Sequence, residues 1–382
     1  MSSTKPLKDV TVLEIGHSIA APYAGMILGE LGATVVKLEN PRTGDYARDW
    51  GPPFAEGAAT TFHSVNRGKR GITLDLGNPE EVKKLIAFIR ESVDVVLHNL
   101  KFGAIDKYGL GGAELVALKP SLVYCNLGAF GAQGPLRERP GYDPLMQAFG
   151  GIMSILGEDG RPPVRVNVSM VDLATGMWAV IGILAALNER HANGRGGVVD
   201  TSLYETALAW MTTPAAAYLA SGKLPKRRGS GTAEIVPYQA FPVTDGHIMV
   251  AAGNDNLFRR LAKMIGQPEL AEDPRFRTNK DRVVNRAELI PLLEKVFARH
   301  KSDYWLPRLE ADGIPCAPLQ TLDQVVRHPQ TAALSMIQKS PDGTLSLMGI
   351  PLSFDGKRPE FERKAPKLGE HNEEILHRSK SR

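Results

Sequence analysis

Two short β-branched apolar runs flank an apolar helical stretch within the first forty residues, and this restricts the possible folds more than any other feature. VTVLEI (Val10 to Ile15) and ATVVKL (Ala33 to Leu38) have the content of buried strands, and Ala20 to Leu31 between them reads as a helix. Such a unit demands parallel pairing through a right-handed crossover. The alternation continues with strands at Gly71 to Leu76, Asp94 to Leu97 and Leu122 to Asn126. One helix opens at Asn78-Pro79, a good cap and first-turn pair, and a short one covers Gly112 to Leu118. The expectation is an α/β fold with a Rossmann-like parallel sheet. The turn after the first strand, GHSIAAP, lacks the GxGxxG spacing that admits a dinucleotide pyrophosphate, so a nicotinamide cofactor is not expected.

The longest apolar stretch follows Asp172, in NVSMVDLATGMWAVIGILAALNERHANGRGGVVDTSLYE (Asn167 to Glu205). The helix, about Leu173 to Arg190, is apolar on nearly every side and should be buried. It is short for a membrane span and bounded by charge, so a soluble protein with no membrane partner is expected. Asp172 stands where an N-cap should, with its carboxylate placed to accept from free N–H groups. An ionisable group at the mouth of a buried helix is either a cap or a site, and local rules favour the cap.

Composition narrows the classes further. The 382 residues suffice for about two domains. The formal charge of +4 is too small to argue for nucleic acid, although it leaves room for a local basic site for an anion. Cys125 and Cys316 have no metal-ligand spacing, which favours a reducing, cytoplasmic setting and no metal centre. No signal-peptide h-region opens the sequence.

Downstream, Leu203 to Ser221 reads as a second long helix, and Lys223 to Gly231 (KLPKRRGSG) as a linker or mobile loop. Tyr238 to Phe241 and His247 to Ala251 flank the turn Thr244-Asp245-Gly246 as a hairpin. Helices near Asn256 to Ile265 and Arg286 to Arg299 complete a small α+β domain, and Pro351 to Phe354 is a candidate strand returning to the first domain.

Polar residues gather in the loops. Lys69 and Arg70 stand at the entrance to the third strand, Asn99 and Lys101 follow the fourth, and Lys107 lies on the next turn. Loops at the carboxyl ends of parallel strands converge on one crevice, so these side chains suit an extended, anionic ligand. Each alone also reads as a solvated surface residue. Tyr142, in PGYD, and His17, in the first loop, are further pocket candidates, with core or helix-proximal packing as the plainer reading. No GxSxG elbow, HExxH or Walker A pattern is present.

In order along the chain, AAPYAGMILGELGATVVKLENPRTGD, NRGKRGITLDL, HNLKFGAIDKYGL, GAFGAQGPLRERPGYDPLMQAFGG, the Asp172 segment, GHIMVAAGNDNLFRRLAKMIGQPELAEDPRF and GIPCAPL resemble the class III coenzyme A transferases, the CaiB/BaiF family. The resemblance implies a homodimer of interlocked rings, with a large domain from both ends of each chain (1–205 and 325–382), a helix and linker (206–230) and a small domain (231–324). It implies that Asp172 is the nucleophile, acylated to a mixed anhydride and then converted to an aspartyl-CoA thioester. Lys69, Arg70, Asn99, Leu100, Lys101 and Lys107 would line the CoA groove, with Arg42 reaching the nucleotide phosphate. Backbone N–H groups near Ala20 and Gly253 are candidate oxyanion donors. No permanently bound cofactor is implied, since the CoA thioester is a substrate.

The family's racemases carry a histidine where this chain has Tyr142, and a phenol of ordinary pKa near 10 is a poor base at neutral pH. That departure favours a transferase over a 2-methylacyl-CoA racemase or epimerase. The glycine-containing segment Gly229 to Phe241 is short, which argues against oxalate as a substrate and for a succinyl-CoA-type donor with a small carboxylate acceptor. A non-catalytic acyl-CoA-binding protein is the remaining alternative, and the intact Asp172 speaks against it.

Overall fold

The computed structural model describes residues 5–376 and divides into two compact units. The first comprises residues up to Ile152, Val166–Thr212, and those from His328 onward, and the second comprises Met153–Arg165 and Thr213–Arg327. The segment Met153–Arg165 thus belongs with the second unit, although the sequence reading places it in the first.

In the first unit, β1 (Thr11–Ile15) leads through α1 (Ala20–Glu30) to β2 (Thr34–Glu39), and β3 (Arg70–Thr73) follows. Helix α2 (Pro79–Ser92) opens on Asn78, whose side chain accepts from Glu80 N, and it leads to β4 (Val95–His98). After α3 (Gly112–Leu118) come β5 (Val123–Gly128), α4 (Asp143–Phe149), α5 (Met170–Asn193), β6 (Gly197–Ser202) and α6 (Leu203–Trp210). The six strands form one sheet in the order β3-β2-β1-β4-β5-β6, with every neighbouring pair parallel. The order reverses between β1 and β4, which opens a crevice at their carboxyl ends. Leu13, Val36, Ile72, Leu85, Ile89, Val96 and Tyr124 form a buried core with α2 and α3.

Helix α5 stops at Gly194, whose φ of 75° gives the left-handed cap that lets Gly194 N donate to the Arg190 carbonyl. Its length and mean hydropathy of 1.9 would also suit a membrane span. Here it packs along α1, β5 and β6, burying Val171, Ala174, Ala179, Val180 and Ile183. Burial is one-sided, however. Met177, Trp178 and Ile181 are about half exposed on the single chain (50%, 48% and 53%), which corrects the expectation of a helix enclosed on nearly every side. The apolar content of that face demands cover of another kind.

Two further expectations fail locally. Leu203 to Ser221 is broken into α6 and a separate helix Thr212–Ser221. Pro351 to Phe354 forms no strand, and only an isolated bridge joins Phe354 to Lys357. The chain is already back in the first unit from His328, and its bonds to the β3 region come further on: Gly68 N donates to Arg363 O, Gly71 N to His371 Nδ1, and Thr73 N to Asn372 Oδ1. These contacts cover the free edge of β3 with side chains and isolated backbone bonds rather than a paired strand, which is why no strand pattern announces them.

In the second unit, β7 (Tyr238–Val243) and β8 (Gly246–Ala251) form the expected hairpin. The strand β9 (Cys316–Pro318) extends it antiparallel, over a core that includes Phe241, Phe258, Phe297 and Trp305.

Candidate functional site

At the carboxyl end of β1 the chain turns sharply to enter α1, and a buried ionic network holds that turn. Lys37, on β2 and fully buried, donates to the Gly16 carbonyl at 2.8 Å and pairs with Glu14 at 3.1 Å and Asp45 at 2.9 Å. Burial alone would lower the Lys37 pKa, but Glu14, Asp45 and Glu39 overcome it and hold the ammonium well above its ordinary range. Asp45 also accepts from Ser18 N at 2.9 Å, which fixes Ser18 at a φ of 68°, uncommon for a residue with a side chain. Asn99, after β4, clamps the turn from the other side: its Oδ1 accepts from His17 N and its Nδ2 donates to His17 O. The imidazole of His17 sits 5.5 Å edge-on from Tyr46, and burial lowers its pKa, with Lys37 adding and Asp45 opposing. Helix α1 begins with no side-chain cap, so the first-turn N–H groups at Ala20 keep their capacity for an incoming oxyanion.

Helix α5 meets this turn through Gly176. A Cβ there would lie 2.7 Å from the Ala20 carbonyl oxygen, so only glycine permits the approach. Gly176→Ala is expected to cost about 1–3 kcal/mol by forcing α5 off α1, read as a lower denaturation midpoint. An unchanged midpoint would show that the crossing is not tight.

The geometry of Asp172 departs from the sequence expectation. Helix α5 starts at Met170 with Ser169 as N-cap, and neither Ser169 nor Asp172 caps it through a side chain. The cap comes from α4: Asp143 Oδ2 accepts from Val171 N at 2.7 Å and from Asp172 N at 3.2 Å. Gln147, one turn along α4, donates to Asp143 Oδ1 at 2.5 Å and brackets Val166 through both its backbone groups. Phe130 and Tyr204 each meet the Phe149 ring edge-on nearby, and these contacts fasten α4 beside α6. With its helix capped by another residue, the Asp172 carboxylate is left to line a cavity of about 300 Å³. Desolvation, with the like charge of Asp143 adding, pushes the Asp172 pKa up to about 7.

That cavity brings together His17, Ala20, Asn99, Leu100, Lys101, Tyr142 and Asp172 from the sequence-derived set. Tyr46, Arg137 and Arg139 also line it and were not singled out from sequence. A second crevice of about 330 Å³ runs along the carboxyl ends of β1, β2 and β3 and shares His17, Tyr46 and Leu100 with the first. Arg42 stands exposed at its edge, 3.2 Å from Asp75, and the Lys107 ammonium sits 4.8 Å from the ring of Tyr108, which lines it.

The structure places three of the expected site residues elsewhere. Lys69 is fully buried under α1, bound to Glu14 at 2.6 Å, the Pro22 carbonyl and Asn66 Oδ1, so it has no face left for a groove. Burial pulls its pKa down to about 8 against the pull of Glu14. Arg70 is committed to Glu374 and lines neither cavity. Gly253 lies in the second unit, before the helix Asp255–Met264.

A parallel 3-2-1-4-5-6 sheet with an uncapped carboxylate over its switch point defines a class, and comparison with known proteins agrees. The model for CoA-transferase family III matches residues 7–372. Succinyl-CoA:glutarate CoA-transferase of Mus musculus is 36% identical over 98% of this chain and 86% of its own length. Succinate–glutarate CoA-transferase of Agrobacterium fabrum is 36% identical over 97% of this chain and 95% of its own. The crystal structure of a CaiB/BaiF family protein from Brucella suis superposes with a TM-score of 0.86 at 40% identity, covering 98% of this chain and all of that one. The chain therefore belongs to the CoA-transferase family III.

Proposed function

We propose that the protein moves CoA from succinyl-CoA, or a similar short dicarboxyl-CoA, to a small dicarboxylate through Asp172. The observation that carries the reading is the Asp172 carboxylate on a cavity beside the α1 N-terminus, with its helix capped by a different residue. An Asp172 oxygen attacks the thioester carbonyl, the C–S bond breaks, and CoA leaves as thiolate with a mixed anhydride on Asp172. The thiolate attacks the Asp172 carbonyl, releasing the donor carboxylate and leaving an aspartyl-CoA thioester. The acceptor carboxylate displaces CoA to form a second anhydride. The thiolate then attacks the acceptor carbonyl and frees Asp172, so no proton is consumed overall. The first-turn N–H groups at Ala20 are placed to take the developing oxyanions. The second crevice suits the nucleotide end of CoA, with Arg42 and Lys107 at its rim. Mass spectrometry of a panel of donors and acceptors tests the reading, and CoA exchange with no such pair would refute it.

Arg137 and Arg139 support a dicarboxylate acceptor, because both line the Asp172 cavity and neither has an ion-pair partner among the described residues. The double change Arg137→Ala/Arg139→Ala is expected to raise KM for glutarate about tenfold, the loss of roughly one charge-assisted hydrogen bond. KM for a monocarboxylate of equal length should be unmoved. Weakened binding of free CoA would instead assign these arginines to the CoA phosphates.

The half-exposed apolar face of α5, with Val198, Leu208 and Trp210 also exposed, supports a homodimer that covers it. Light scattering at micromolar concentration should give twice the 41.5 kDa chain mass.

A further inference from the structure

We propose that Asp143 is the positioning residue of the nucleophile: by capping α5 from a neighbouring helix, it leaves the Asp172 carboxylate free of its own backbone and available to the thioester. The inference rests on the reading of Asp172 as nucleophile and goes beyond it. An Asp in the first turn of a helix ordinarily folds back on the free N–H groups, and a carboxylate held that way has its lone pairs engaged. Here those donors are already taken. Asp143 Oδ2 accepts from Val171 N and Asp172 N, and Asp143 is 2% exposed. Its other oxygen is held by Gln147, which is itself fully buried and fixed at both ends of its amide to Val166. This chain of bonds spans α4, the segment before α5 and the first turn of α5. It contains no exposed member, and the CoA-transfer chemistry uses none of its groups.

The arrangement does two things to Asp172. It fixes the backbone from which the carboxylate projects, and it sets a second carboxylate close enough to oppose ionisation. The other charged or titratable groups around the same cavity are His17 and Tyr46 from the turns after β1 and β2, Lys101 from the loop after β4, and Arg137, Arg139 and Tyr142 from the loop before α4. None of these bonds the α5 N-terminus. Asp143 therefore couples the position of the nucleophile to its protonation.

The full-length protein with succinyl-CoA and glutarate provides the test, comparing wild type, Asp143→Asn and Asp143→Ala. Asn keeps an oxygen for the two N–H groups and removes the charge, giving up only the bond accepted from Gln147. It should retain most of the plateau kcat while the acid limb of the pH profile moves down by about one unit. Ala removes the cap, and kcat should fall about 100-fold with KM for succinyl-CoA unchanged, as expected of a mispositioned nucleophile. An unshifted acid limb in the Asn variant, or wild-type kcat in the Ala variant, overturns the proposal. If the Ala variant fails to fold, the profile of the Asn variant decides. Hydroxylamine trapping of acylated Asp172 in the wild type separates the two levels. A trapped wild type with unshifted variants overturns the role of Asp143 alone, and an untrapped wild type overturns both.

Discussion

Asp172→Asn is expected to abolish CoA exchange while leaving CoA binding intact and raising the melting temperature. The loss follows from chemistry. An amide cannot form the anhydride, and among the described residues no second carboxylate lines the cavity to substitute, since Asp143 is enclosed by Gln147 and two backbone N–H groups. The gain follows from linkage. The folded-state pKa of about 7 lies above the ordinary 3.8, so folding favours the protonated form. Well below pH 3.8 both states are protonated and no penalty exists. Between pH 4 and 7 the unfolded chain ionises first, so stability falls, and above pH 7 the full penalty persists. Removing the carboxylate relieves it, and the melting temperature at pH 8 should rise by about 2 °C or more. At pH 4 most of that difference should be gone. Exchange retained by the variant would exclude the covalent route. A lower melting temperature at pH 8 would show that the Asp172 charge is not strained. By the same titration, wild-type kcat/KM should rise with pH through about 7, as the nucleophile ionises.

Lys37→Met carries the largest expected cost in stability. The ammonium is fully buried and serves Glu14, Asp45 and the Gly16 carbonyl at once. Removing one partner of a buried ionic group leaves carboxylates without compensation, which costs about 3–5 kcal/mol. Lys69 still faces Glu14, so Asp45 bears most of the loss. Asp45 in turn fixes Ser18 N, so the turn that leads into α1 should loosen and kcat should fall with it. Urea denaturation and steady-state kinetics on one preparation check both effects. A stable Lys37→Met protein with unchanged kcat would mean that the network does not hold the turn.

The parallel sheet was legible because β1, β2, β4 and most of β5 are short apolar runs between helices, and periodicity reports such runs directly. The crevice was legible in outline as well, since parallel topology alone sends the loops after β1 and β4 to a common place. Individual side chains were harder. Lys69 and Arg70 are adjacent basic residues at a strand entrance, and nothing local reveals that Glu14 and Glu374 claim them from 55 and 304 residues away. Asp172 was found at the right helix end for a partly wrong reason. Asx residues favour N-caps locally, but the cap arrives from Asp143, 29 residues earlier, and local rules do not see such separations. The edge cover on β3 escaped for the same reason, because His371 and Asn372 act through side chains and a single backbone bond and leave no alternation to read.

Transfer by this route requires that Asp172 become covalently acylated and then carry CoA. The direct measurement is peptide mass spectrometry of the full-length protein, incubated with succinyl-CoA and quenched with hydroxylamine during turnover. A hydroxamate is expected on the peptide that contains Asp172, absent when succinyl-CoA is omitted and absent in Asp172→Asn. Active CoA exchange with Asp172 unmodified, or with the hydroxamate on another residue, would contradict it.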